Sequence, residues 1–181
     1  MATNAFILGV LCFIALGRGR LPDSYLLAAK EVQERERIVS IARSELGIRE
    51  ATGRNDGKRV EEYLSVCGLP KGHPWCAAFV SWVFKQAGFA HPRTAWSPAM
   101  FNTSVNVKQA RPAVVFGLYF DHLKRIGHVG LVERAEGDWL VTIEGNTNIS
   151  GSREGDGVYR KRRHRKTVYR YADWAGKEAG L

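Results

Sequence analysis

Apolar positions recur at helical spacing through the first half of the chain and at strand spacing through the second. From Glu31 to Leu46, the residues Ile38, Ile41, Ala42 and Leu46 fall on one side of a helix, and Gly47 follows as a stop signal. A second helix carries Val60, Tyr63, Leu64 and Cys67 at i, i+3, i+4 and i+7, with Asn55 or Asp56 as its cap. The loop Gly68-Leu69-Pro70-Lys71-Gly72 separates it from a third helix, which runs from about Trp75 to Ala87 and ends at Gly88. The bulky apolar residues Phe79, Val80, Trp82 and Val83 predict that this third helix is locked into the core.

The second half reads as strands. Pro112 to Phe120 is rich in β-branched and aromatic residues, His128–Arg134 and Trp139–Glu144 form a hairpin around Ala135-Glu136-Gly137-Asp138, and Gly157–Arg162 and Lys166–Tyr171 supply two more. Helices first and an antiparallel meander after is an α+β order, with N-terminal helices packed on a sheet of about five strands. The hairpin register has two solutions. An even loop puts Glu144 on the apolar face with Val129 and Leu131. An odd loop pairs Leu131 with Ile143 and Glu133 with Val141, and moves Glu144 to the other face with His128, Gly130 and Thr142. An unpaired carboxylate is costly to bury, so the odd register is expected.

Charge adds a second feature. The formal net charge is +9, and the acid-free stretch from Gly157 to Ala172 contributes +7 through Arg160, Lys161, Arg162, Arg163, Arg165, Lys166 and Arg170. Such a strip is either a solvated, arginine-rich strand pair or a surface for an anionic partner, and the residues leave both open. At the other end of the chain, Ala5 to Gly17 is apolar but shorter than the roughly 20 residues that span a bilayer. Its length and the small residues Ala15-Leu16-Gly17 suit an export signal, although no Lys or Arg precedes it, with an anchor or core helix as the alternative. The Val10-Leu11 pair before Cys12 does not fit a lipoprotein signal.

Three cysteines cannot form a disulfide framework. Cys12 lies in the apolar run, and Cys67 is expected as a buried thiol on a helix face. Cys76 stands apart. It begins a helix just after His73-Pro74-Trp75, with Pro74 expected in the first turn. There the helix dipole and unpaired backbone N–H groups favour a thiolate and can later hold an oxyanion. A nucleophile needs a base. His164 lies inside the cationic strip, His91 precedes a proline, His122 sits in a polar turn and His73 in a Gly-rich loop. His128 opens a strand, and Gly130 two residues on is expected to keep its side of a cleft open. In the odd register Asn146 lies opposite His128 and Glu144 lies diagonally across. Either could accept the ring N–H and fix the tautomer.

Three blocks together, Pro74-Trp75-Cys76-Ala77-Ala78-Phe79-Val80-Ser81-Trp82, Gly127-His128-Val129-Gly130-Leu131-Val132 and Ile143-Glu144-Gly145-Asn146-Thr147-Asn148, resemble the CHAP family of bacterial cell-wall amidohydrolases and peptidases, relatives of the NlpC/P60-like and papain-like cysteine hydrolases. The resemblance covers roughly Ala42 to Trp174. It implies a papain-like (CHAP/NlpC-P60) fold, with 31–176 as a single catalytic domain behind a 1–30 segment and linker. It also implies hydrolysis of a peptidoglycan stem-peptide amide, by amidase or endopeptidase action. Cys76 becomes the nucleophile, His128 the base, Glu144 the orienting group and Asn146 an auxiliary, with no metal or organic cofactor. The family usually enters its first strand through Pro-Gly-Asp, where this chain has Arg111-Pro112-Ala113. Trp75 stands where some relatives carry Gln, which leaves the oxyanion to the Cys76 backbone N–H. Trp82 is expected in the core, and Trp96 as a wall of the cleft.

The partners expected are peptidoglycan or its peptide fragments, with an anionic polymer at the basic strip as a second. Nucleic acid is not expected, membrane contact is expected only through the apolar N-terminal segment, and the chain is expected to be a monomer of the bacterial envelope, periplasmic or secreted. The rival readings are an inactive module gripping anionic cell-wall polymer through the strip, and a nucleic-acid binder using its alternating Arg and Tyr.

Overall fold

In the computed structural model, residues 22–149 and 155–178 are described. The apolar run 5–17 and Cys12 lie outside the described residues. Among those described, no helix is long and apolar enough to cross a membrane. The chain divides into two units, 1–30 and 31–181, and the core and the sheet belong to the second.

Helix α1 (Asp23–Ser44) begins earlier than Glu31, and within the second unit it buries Ile38, Val39 and Ala42. Buried Arg35 on this helix reaches Asp173 at 2.7 Å and the Pro112 carbonyl at 3.1 Å, so it ties the helix to the end of the domain. Helix α2 (Lys58–Ser65) is preceded by Gly57 at φ 108, not by a side-chain cap. The two expected caps are used elsewhere: Asp56 accepts from the Thr52 N–H and hydroxyl, and the Asn55 side-chain oxygen accepts from the Asn146 amide. Helix α3 (Cys76–Gln86) buries Cys76 through Phe84 without interruption. Trp75 is its cap residue, which places Pro74 just outside the first turn. The Tyr63 ring lies 5.3–5.5 Å from the rings of Trp75, Phe79 and Trp82, so α2 and α3 are joined by an aromatic cluster that includes Trp82, as expected.

One antiparallel sheet of six strands follows, in the order β1-β6-β2-β3-β4-β5. The strands are β1 (Asn106–Val107), β2 (Val115–Phe120), β3 (Arg125–Glu136), β4 (Trp139–Thr147), β5 (Gly157–His164) and β6 (Arg170–Ala172). A short helix α4 (Ala175–Glu178) ends the described chain. The α+β architecture read from the sequence, helices followed by an antiparallel sheet, therefore holds. The sixth strand, β1, is two residues long, too short to leave a periodic signal, and it pairs only with β6.

The β3–β4 hairpin shows how the register is set. Glu136 pairs with Trp139, so the turn is the two residues Gly137-Asp138, an even loop. A bulge between Val132 and Arg134 absorbs one residue, and Val132 then pairs with Thr142 and Leu131 with Ile143. The expected face assignment near the site is correct, but Glu133 does not pair with Val141. Its carboxylate is bound by Arg43 at 2.6 Å and Arg160 at 2.7 Å. The turn into β2 also keeps its shape without glycine, because Ala113 takes φ 66 and its N–H bonds the Val132 carbonyl.

Both faces of the sheet are covered. Val129, Leu131 and Ile143 join the main core that contains α3, and Phe116, Val132 and Leu140 form a smaller cluster of their own. Gly145 is required on the helix side, since a Cβ there would come within 2.8 Å of Trp75 and Phe79.

Candidate active site

Cys76 is the first residue of α3. The first α3 hydrogen bond runs from the Phe79 N–H to the Trp75 carbonyl at 2.8 Å, so the N–H groups of Cys76, Ala77 and Ala78 precede it at the positive end of the dipole. The Trp75 indole N–H donates to Glu50 at 2.8 Å and fixes the entry to the helix. The thiol meets the Ser97 hydroxyl at 3.4 Å. Ser97 begins a single 3-10 turn, Ser97–Met100, and is buried. Sequence reasoning did not single it out: a serine in a loop carries no signal until folding brings it beside the sulfur.

His128, on β3, interacts with Cys76 on one side and with Glu144 on the other, where its Nε2 lies 2.9 Å from Oε2. Cys76 and His128 are only 6% and 8% exposed, yet both line a cleft of about 1090 Å³. Glu144 has no exposed surface, and every partner it needs is present. Arg163 grips it with two bonds, Nε to Oε1 at 2.8 Å and the terminal nitrogen to Oε2 at 2.6 Å, and the Thr142 hydroxyl donates to Oε1 at 2.6 Å. Glu144 is therefore buried even in the register chosen to keep it off the apolar face. The guanidinium of Arg163, on β5, makes that burial tolerable.

The four groups tune one another. Burial pushes the Cys76 thiol up, but the hydrogen bond and charge of His128, the Ser97 hydroxyl and the Val129 backbone N–H outweigh it and bring the thiol down to about 7. Burial pushes His128 down, but its bonds to Cys76 and Glu144 and their charges outweigh it and lift the imidazole to about 9. Burial would raise Glu144, and the bonds and charges of Arg163 and His128 bring it down to about 2 instead. All three shifts favour the same arrangement, thiolate, imidazolium and carboxylate.

Of the residues expected at the site, Cys76, His128 and Glu144 come together. Asn146 lines the cleft but turns away from His128: it takes φ 52, and its amide donates to Asn55 Oδ1 at 2.6 Å. Gly130 has a different job from the one expected. It does not line the cleft; a Cβ there would come within 2.7 Å of Glu144 Cγ and 2.8 Å of the Phe116 ring, so this glycine makes room for the carboxylate. Cys67, expected as a buried thiol, is half-buried and lines the cleft, and burial pushes its pKa up. His73 and His122 also line the cleft, with His122 stacked on Phe120. His164 accepts from the Lys166 N–H, and His91 packs near Trp174.

The basic strip is partly an internal feature. Arg163 serves Glu144 and Arg160 serves Glu133, while Lys161 donates to the Asn148 carbonyl, Arg165 to the Gly137 carbonyl, and Arg162 covers the Trp139 ring at 4.9 Å. Sequence alone did not separate these inward-turned arginines from solvated ones. The cue available was the buried carboxylate on the neighbouring strand, which needed a cation. Among the described residues, no group of three or more His, Cys, Asp or Glu is arranged to hold a metal ion.

Comparison with known proteins gives three results. A search of curated protein sequences finds no match. Among solved structures, the chain is similar to that of Ly7917, with 16% identity and a TM-score of 0.44 over 76% of this chain and 60% of that one. It is also similar to a lipoprotein-like NLP/P60-family protein from Staphylococcus aureus, with 13% identity and a TM-score of 0.42 over 78% of this chain and 41% of that one. The chain thus spans about 60% or less of the length of these structures. The third result is a match of the CHAP domain family model to residues 68–146, the segment that holds Cys76, His128, Glu144 and Asn146. Residues 68–146 of this chain are thus similar to the CHAP domain.

Proposed function

We propose that this protein is a cysteine amidohydrolase that cleaves an amide bond of the peptidoglycan stem peptide at Cys76, and that it acts in the bacterial cell envelope. The observation that carries the reading is the placement of Cys76. It begins a core-locked helix and faces an imidazole that a buried, arginine-bound carboxylate holds, at the floor of a cleft. The CHAP match supplies the substrate class.

The chemistry follows from the charge states. The Cys76 thiolate attacks the amide carbonyl, and the negative charge moves to the carbonyl oxygen, which the Cys76 backbone N–H at the helix terminus can receive. The C–N bond breaks as the His128 imidazolium passes its proton to the leaving amine, and the thioester remains on Cys76. Neutral His128 then takes a proton from water, the hydroxide equivalent attacks the thioester, and the acid product leaves with the thiolate regenerated. Glu144 stays ionised throughout, because Arg163 and Thr142 hold it, and it orients the ring and stabilises the imidazolium. Asn146 and Asn55 supply a neutral polar wall to the cleft.

The test is release of fragments from purified peptidoglycan, read by mass spectrometry. Wild type is expected to release defined fragments whose masses tell the sugar–peptide amide from a peptide bond, and Cys76→Ser to release none while folding normally. Equal release by both proteins overturns the proposal. The inactive-module reading loses support here, because two arginines of its binding strip hold buried carboxylates within the domain.

A further inference from the structure

The cleft has an electrostatic asymmetry that the hydrolytic cycle does not use. Among its described lining residues there is no Asp or Glu, but besides His128 there are four Arg or Lys: Arg93, Arg125, Lys161 and Arg163. Three are committed to groups of the protein. Arg163 holds Glu144, Lys161 donates to the Asn148 carbonyl, and Arg93 donates to the carbonyls of Phe89 and Pro92. Arg125 is different. One terminal nitrogen donates to the Ile126 carbonyl at 3.0 Å, its guanidinium lies over the Trp96 ring at 4.1 Å, and among the described residues it meets no carboxylate. Trp96 is itself 53% exposed, an unusual cost for an indole that serves only packing.

The position relates this pair to the reacting atoms. Trp96 directly precedes Ser97, whose hydroxyl touches the Cys76 sulfur at 3.4 Å. A group bound on the Trp96–Arg125 platform therefore shares one cleft with the site of attack, a cleft whose Asn55–Asn146 pair is neutral. Stacking on an aromatic face holds the guanidinium in place and leaves its outer N–H edge free to meet a planar anion.

We infer that Arg125 and Trp96 form a carboxylate-binding subsite, which selects substrates bearing a free carboxylate on the residue adjoining the scissile amide. This rests on the hydrolase reading and deepens it. Arg125 is a specificity residue that acts in binding and takes no part in the proton transfers.

Two measurements test it. In the first, a matched pair of stem-peptide fragments differs only by a carboxylate or a carboxamide at the adjoining residue. Wild type is expected to prefer the carboxylate by about tenfold or more in kcat/KM, mostly through KM, as a charge-assisted bond to guanidinium provides. In Arg125→Gln the ratio falls to about 1, and Arg125→Lys retains part of it. A ratio that Arg125→Gln leaves unchanged, or no preference in wild type, overturns the inference. The second measurement needs no hydrolysis: the rate at which N-iodoacetylglutamate and its diamide alkylate Cys76, located by mass spectrometry. The subsite predicts a charge preference that Arg125→Gln lowers and Trp96→Ala weakens. An unchanged preference refutes the subsite even if peptidoglycan is not the substrate, whereas a lowered preference with no wall hydrolysis refutes the hydrolase reading alone.

Discussion

Arg163→Met isolates the interaction that the sequence concealed. The substitution keeps a long apolar side chain on β5 and removes two charge-assisted bonds, of 2.8 and 2.6 Å, from a carboxylate with no exposed surface. Breaking a buried ion pair from one side costs about 3–5 kcal/mol, because the remaining charge stays buried. Arg163 keeps 25% of its side-chain surface in solvent, and Thr142 and His128 still serve Glu144, so the lower end, about 3 kcal/mol, applies. The pH dependence follows from the direction of the shift. With Arg163 present, Glu144 is depressed to about 2, so its contribution to stability is present above its unfolded pKa and fades as pH falls through the folded value. In Arg163→Met, burial acts without the guanidinium to offset it, and Glu144 titrates at higher pH. The deficit is then largest at neutral pH and narrows in acid. Urea unfolding at pH 7.5 and at pH 4.5 measures both, and the double variant Glu144→Gln/Arg163→Met is expected to recover much of the loss, since it removes the buried carboxylate that the single variant leaves without its guanidinium. A loss below about 0.5 kcal/mol, or the same loss in the Glu144→Gln background, refutes the reasoning.

Other outcomes follow from the same geometry. The productive pair exists once Cys76 has ionised, above about 7, and until His128 loses its proton, near about 9; kcat/KM should rise through the first and fall through the second, and a flat profile from pH 6 to 10 contradicts this. Gly130→Ala should displace Glu144 and cut kcat by about tenfold or more while costing about 1–3 kcal/mol in stability by urea unfolding, as overpacking does; unchanged activity would mean the carboxylate tolerates the move. Ser97→Ala should shift the acid limb of the profile to higher pH, because it removes a bond that favours the thiolate, and an unmoved limb excludes that role.

How much of this was legible beforehand depends on the range of the interactions. The helices and strands were readable because each buries one side, and Val60, Tyr63 and Leu64 or Val129, Leu131 and Ile143 mark that side in a single sequence. The pairing of His128 with Glu144 was readable as one of two options, because strand alternation fixes faces even though the loop is even and a bulge at Glu133 compensates for it. Local caps were less secure: Asn55 and Asp56 had the right chemistry, but other partners claimed both and Gly57 took the position. Ser97 was hidden because nothing beside a loop serine marks the sulfur it meets, and Arg163 because the arginines of the strip look alike until the fold shows which one faces the buried carboxylate. Gly130 was noticeable, but for a reason the geometry corrects.

The central claim is that Cys76 and His128 form a thiolate–imidazolium pair, and the most direct measurement is the rate of Cys76 alkylation by iodoacetamide as a function of pH. The account predicts an inflection near about 7 in wild type, with the inflection moved upward in His128→Ala and Cys67 reacting only at higher pH. A single inflection near the ordinary thiol value of about 8.5, the same in both proteins, would contradict it.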